Sequence, residues 1–168
     1  HGDFEWNVGL VGMYYTSKNT KWDENVKYDW LKAEGEAIDA LRGYQCIGFF
    51  KDAADVESSA KVNANTKPGD LKYVDQNNDG VINEQDQVVL GKWGASWVMG
   101  LNLTAKYKGF TLFVAGTGSF GGKGLKNNSY MHVYGDRKYS EVVRGRWTEE
   151  TADIATYPRL TTQGGDLN

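Results

Sequence analysis

Residues 75–86 read DQNNDGVINEQD, and their types and spacing suit the binding of a hard cation. Oxygen-bearing side chains fall at loop positions 1, 3, 5, 9 and 12, which are Asp75, Asn77, Asp79, Asn83 and Asp86. Val81, at position 7, would contribute its backbone carbonyl. A calcium ion needs about six or seven oxygens at roughly 2.4 Å, and a short chain must wrap around it to supply them. Gly80, at position 6, permits the sharp turn because it has no Cβ to clash at positive φ. Ile82, at position 8, would point away from the ion and anchor the loop in an apolar contact. This is the spacing of an EF-hand-type calcium loop.

Position 12 departs from that pattern. Asp86 stands where a longer Glu would reach for bidentate contact, so weaker or more plastic binding is expected. Residues 70–74 carry no long amphipathic helical pattern, which makes this an isolated loop rather than half of a helix-loop-helix pair. Asn, Asp and Gly are also ordinary turn residues, and Asp79-Gly80 would serve as the two-residue turn of a hairpin. A hairpin requires alternation on both sides, and the five polar residues from Asn83 to Gln87 fit it poorly.

The chain has 168 residues, enough for one domain. Its net charge of −3 gives no sign of nucleic-acid binding. With 21 glycines, 22 aromatic residues and only two prolines, the composition favours β-structure with many turns. Cys46 is the only cysteine, which excludes an intrachain disulfide, and it reads as a small packed residue rather than a nucleophile. The histidines, His1 and His132, are too far apart to suggest a metal site or a triad. There is no GxSxG and no HExxH. Gly116, Gly118 and Gly121 match GxGxxG, but no βαβ context surrounds them, so they read as glycine-rich strand ends. The chain begins without Met and reads as a piece of a longer one, so the missing signal peptide says nothing about export.

Three long stretches alternate with period 2, and they must frame the loop. In Asp3–Tyr15 one face carries Phe4, Trp6, Val8, Leu10, Gly12 and Tyr14. In Trp97–Tyr107 one face carries Trp97, Met99, Leu101, Leu103, Ala105 and Tyr107, so aromatics bracket an aliphatic band. After a tight turn at Lys108-Gly109, Phe110–Gly118 turns Phe110, Leu112 and Val114 to one side. Phe113 is the exception on its other face. Strands of about eleven residues are long for a soluble sandwich and suit a tilted bilayer crossing, with aromatic girdles at both interfaces. The minimal turn would be periplasmic and the long excursion 16–96 extracellular, carrying the loop 75–86 with it. Residues 121–168 read as a second extracellular loop region, with a possible short strand from Tyr130 to Tyr134. Within the excursion, Gly43–Phe50 reads as a strand and 52–69 as loop.

The ordered set Lys67–Gly91, Trp97–Phe110, Arg146-Trp147-Thr148 and Tyr157-Pro158-Arg159-Leu160 resembles the C-terminal barrel region of SusC/RagA-like TonB-dependent outer-membrane transporters of Bacteroidetes. The resemblance covers about Gly2 to Thr161. It implies an all-β fold: part of an antiparallel transmembrane β-barrel, a few long strands with long extracellular loops. It also implies import of glycans, oligosaccharides or peptides, without enzymatic chemistry, beneath a SusD-like lipoprotein lid. TonB would act through an N-terminal part absent from this sequence, and lipid would cover the outer strand faces. Trp22, Trp30, Tyr130, His132 and Tyr134 are loop aromatics that would stack on sugars, although ordinary packing explains each as well. The competing reading is a soluble, secreted, calcium-stabilised carbohydrate-binding or dockerin-like module. A dockerin, however, would show a second copy of the loop. A glycosidase would need paired carboxylates in a cleft, for which the sequence gives no signal.

Overall fold

A computed structural model of the chain describes residues 3–126, 130–131 and 140–161. Its elements are strands β1 (Phe4–Tyr14), β2 (Ala40–Tyr44) and β3 (Cys46–Phe49), helix α1 (Ala53–Ser58), and strands β4 (Leu71–Tyr73), β5 (Gln87–Lys92), β6 (Trp97–Tyr107) and β7 (Phe110–Phe120). Short 3-10 turns lie at Asp29–Leu31, Glu84–Asp86 and Glu141–Gly145. Most of the regular structure is strand, with a single short helix, as the alternation and composition require. His1, His132, Tyr134 and most of the strand expected near Tyr130 lie outside them.

Strands β1, β6 and β7 form one antiparallel sheet in the order β1-β6-β7. Each is 11 residues long, and the register runs unbroken across the sheet. Lys108 and Gly109 join β6 to β7 with φ of 45° and 86°. Positive φ at both positions gives a two-residue turn whose twist matches that of the flanking strands.

The chain divides into two compact units. One runs to Asn25 and takes in Lys32–Leu41 and Gly91–Gly124, hence the long sheet. The other comprises Val26–Leu31, Arg42–Leu90 and the residues from Leu125 onward. In this second unit Phe50, Val56, Ile82 and Val143 are the buried apolar residues, beside the buried carboxylates Asp70 and Asp86. The excursion is therefore more structured than its polar sequence suggests. The run 43–50 is divided between β2 and β3, and 52–69 contains α1, which is capped by Asp52 accepting from Asp55 N at 2.8 Å. Cys46 is exposed rather than packed. A register shift between Cys46 and Gly48 breaks the alternation there, leaving both Cys46 and Ile47 exposed.

Asp70 is the polar centre of this unit. Its carboxylate takes Arg159 Nε at 2.5 Å and Lys67 N at 2.8 Å. Its backbone carbonyl accepts from Phe50 N. The neighbouring Gly69 has φ of 86°, and an added Cβ would stand 2.5 Å from the Trp147 ring. Only glycine satisfies both that backbone and that packing. Residues 67–70 are thus fastened to 147–159, two stretches that the sequence places in separate loops.

Candidate functional site

The loop 75–86 closes on itself through its own oxygens. Asp75 accepts from Asp79 N at 3.3 Å and from Gly80 N at 2.8 Å. Asn77 Oδ1 accepts from Asp79 N at 3.0 Å, and Asp79 Oδ1 from Val81 N at 2.9 Å. Asn77 Nδ2 donates to Asp79 Oδ2 at 2.8 Å. Gly80 has φ of 83°, as the turn requires, and Asn78 joins it in the left-handed region at 58°. Asn tolerates that region better than most side chains, which marks position 4 as a second bend that spacing alone does not reveal. The hydrogen bond from Val81 N holds the Asp79 carboxyl below its ordinary pKa, helped by the Asn77 amide. Asp79 is therefore ionised at neutral pH.

Ile82 is 3% exposed and anchors the loop. Its N–H donates to Lys61 O at 3.0 Å, beside a parallel bridge between Lys61 and Val81. Neither flank is half of a hairpin: β4 pairs with β3, and β5 with β2. Asn83 caps the turn Glu84–Asp86, accepting from Gln85 N at 2.8 Å. Asp86 is fully buried and accepts from Gln76 N at 2.9 Å and Asn83 N at 2.8 Å. Its carboxylate thus ties the start of the loop to its end.

As a donor set, Asp75, Asn77, Asp79, the Val81 carbonyl and Asn83 are all-oxygen and hard, which suits calcium. Each of the side-chain oxygens already bonded to an amide keeps a further lone pair. Against this, the described residues contain no cluster of three or more His, Cys, Asp or Glu side chains able to hold a metal. Asp86 in particular is turned to backbone amides. Beside the loop, Trp30 Nε1 donates to Gln85 O at 2.8 Å and stacks on Tyr28 with centroids 4.5 Å apart. Sequence spacing gave no hint of that contact, which spans 55 positions.

The long sheet sorts its side chains into two faces. Register aligns Phe4, Tyr107 and Phe110 in one row and Tyr14, Trp97 and Phe120 in another, at opposite ends of the strands. Between them lie Trp6-Ala105-Leu112, Val8-Leu103-Val114, Leu10-Leu101-Gly116 and Gly12-Met99-Gly118. Leu10 is 77% exposed, Met99 48% and Leu101 44%. The opposite face carries Glu5, Asn7, Asn102, Thr104, Lys106 and Thr117, with Lys106 Nζ 3.5 Å from Glu5 Oε2. Phe113 falls on this face opposite Thr104, and Val11, Met13 and Val98 lie on it as well, so its polar residues gather toward the Glu5–Lys106 end. Ten steps of about 3.3 Å separate the aromatic rows by ~33 Å along a strand. For strands tilted by about 40° that is ~25 Å along a bilayer normal, the height of the apolar band of a transmembrane barrel.

An antiparallel sheet with one exposed apolar face bordered by aromatics at both ends defines an architecture. Comparison with known proteins narrows it. Over 137 residues the chain is 31% identical to TonB-dependent receptor P26 of Formosa agariphila, a match covering 79% of this chain and 13% of that protein. It is 29% identical over 90 residues to TonB-dependent receptor P3 of the same organism, covering 54% of this chain and 9% of that one. No protein-family model matches the chain. The chain is homologous to part of the TonB-dependent receptors, which are outer-membrane proteins, and it spans only a small share of these relatives.

Proposed function

We propose that the chain is part of the barrel of a SusC-like TonB-dependent transporter that imports glycans, oligosaccharides or peptides beneath a SusD-like lipoprotein. In this reading β1, β6 and β7 cross the outer membrane with the row Val8-Leu103-Val114 near mid-bilayer. The polar face lines the lumen. The turn at Lys108-Gly109 is periplasmic, and residues 16–96 and 121–168 are extracellular. Solute passes without covalent chemistry. Calcium in the loop 75–86 is structural, held by Asp75, Asn77, Asp79 and the Val81 carbonyl, and Asp86 keeps the loop closed around it.

The observation that carries this reading is the six-row apolar face bordered by aromatics at both ends. Single cysteines test it in the full-length receptor on intact cells, in a Cys46→Ser background because native Cys46 is exposed. A cysteine at Leu103 should resist a membrane-impermeant maleimide, while one at Gln76 should react. Labelling of position 103 with protection of position 76 would sink the proposed topology. Loss of growth on one class of glycan or peptide after gene deletion identifies the solute. Unchanged growth on every class would refute the nutrient-import reading.

A further inference from the structure

The turn Glu141–Gly145 and the residues near Leu160 bound a cleft of about 620 Å³, lined by Ser140, Glu141, Val143, Arg144, Arg146 and Leu160. That volume lies within the range of small-molecule sites. The backbone presenting the arginines is fixed. Arg146 N donates to Val143 O at 3.1 Å, Arg146 O accepts from Thr151 Oγ1 at 3.0 Å, and Arg146 forms a bridge with Tyr157. The guanidinium groups are not engaged: neither Arg144 nor Arg146 has a side-chain partner among the described residues. Ser140 Oγ is buried without a hydrogen-bond partner among the described residues. A buried hydroxyl left unpaired is a destabilising feature that calls for an explanation.

We infer that this cleft binds the carboxylate of a small polar solute. The guanidinium fork matches a carboxylate in plane and spacing, and Ser140 supplies a further donor. Val143, buried, and Leu160 give the cleft an apolar wall beside the charged groups. Glu141 offsets one of the two positive charges and can accept from hydroxyl or amine donors on the same solute. The site does not depend on which solute is transported.

The test uses the full-length receptor in detergent and isothermal titration. Glucuronate and triglycine are the carboxylate probes, with glucose and triglycinamide as their uncharged counterparts. Carboxylates should bind at least about tenfold more tightly than the counterparts, and Arg144→Gln/Arg146→Gln should remove that preference. Arg146→Lys, which keeps the charge and loses the fork, should retain part of it. Ser140→Ala should weaken binding severalfold in a protein of unaltered charge, which keeps the test open if the double variant misfolds. A stronger response to glucuronate than to triglycine, or the reverse, says whether a sugar acid or a peptide terminus carries the group, and either supports the site. Equal binding of glucose, unchanged affinity in both the double variant and Ser140→Ala, or displacement by an equal concentration of inorganic sulfate would overturn it.

Discussion

Replacing Asp86 by Ala should disorder the loop 75–86 whether or not calcium is present, whereas Asp75→Ala should matter only with the ion. Asp86 is fully buried and accepts from Gln76 N and Asn83 N. Removing it leaves two half-buried amides without their acceptor, at about 1–2 kcal/mol each, so the loop should lose about 2–4 kcal/mol. Asp75 also accepts two amides, but Asp79 and Gly80 are exposed and water replaces the lost partner there. Its removal should cost about 1 kcal/mol without calcium. At a free calcium concentration of 100 Kd the wild-type loop gains about 2.7 kcal/mol, and Asp75→Ala should gain none of it. Hydrogen exchange of peptides covering 75–86 in the full-length receptor, in chelator and in calcium, compares the wild type with both variants. Unaltered exchange in Asp86→Ala would refute the closure argument. Identical protection of the wild type with and without calcium would refute the ion.

The remaining predictions concern the sheet and the excursion. Leu103→Arg should lower the yield of folded, outer-membrane-inserted receptor, at about 2–4 kcal/mol near mid-bilayer, while Thr104→Arg on the opposite face should insert normally; equal insertion of the two, measured by heat-modifiable gel mobility, contradicts the facial assignment. Asp70→Asn should increase proteolysis within 42–90 and also within 140–161, because it breaks a nearly buried pair with Arg159 at a cost of about 3–5 kcal/mol; proteolysis confined to one stretch argues against the clasp. The Asp55 carboxyl is held below its ordinary pKa, first by Lys72 Nζ at 2.6 Å and then by Lys51 N. A lowered folded-state value means that its stabilisation is complete above the unfolded carboxylate range near pH ~4 and is lost as pH falls through the folded value. Exchange protection around α1 should therefore decline in acid, and Asp55→Asn should flatten that decline.

Much of the sheet could be read from sequence because period 2 leaves little freedom: a one-residue slip would carry Leu101 and Leu103 to the polar face. β6 has the expected bounds, and β1 and β7 differ only at their ends. The loop 75–86 was visible for a related reason, since its oxygens, glycine and apolar anchor occupy fixed positions. The role of Asp86 was not visible. Spacing marks it only as a donor to a cation, and the fold adds its burial with bonds from Gln76 N and Asn83 N. The joining of 67–70 to 147–159 was equally hidden, because an ion pair spanning 89 positions leaves no local pattern.

These two carboxylates change how the excursion holds together. A polar stretch between long strands suggests that an ion must stand in for missing packing. The described residues of the second unit do bury Phe50, Val56, Ile82 and Val143, which is little apolar surface for so much chain. Asp70 and Asp86 are buried beside them, and between them their carboxylates accept from three backbone amides and one guanidinium. Buried acceptors of this kind add modest net stability but penalise every arrangement that leaves them unpaired. The excursion is thus specified by polar closure as much as by apolar burial. Calcium would then tighten a loop already closed by Asp86 rather than create its fold, so removing the ion should loosen Asp75–Val81 while Ile82 and Asp86 stay protected.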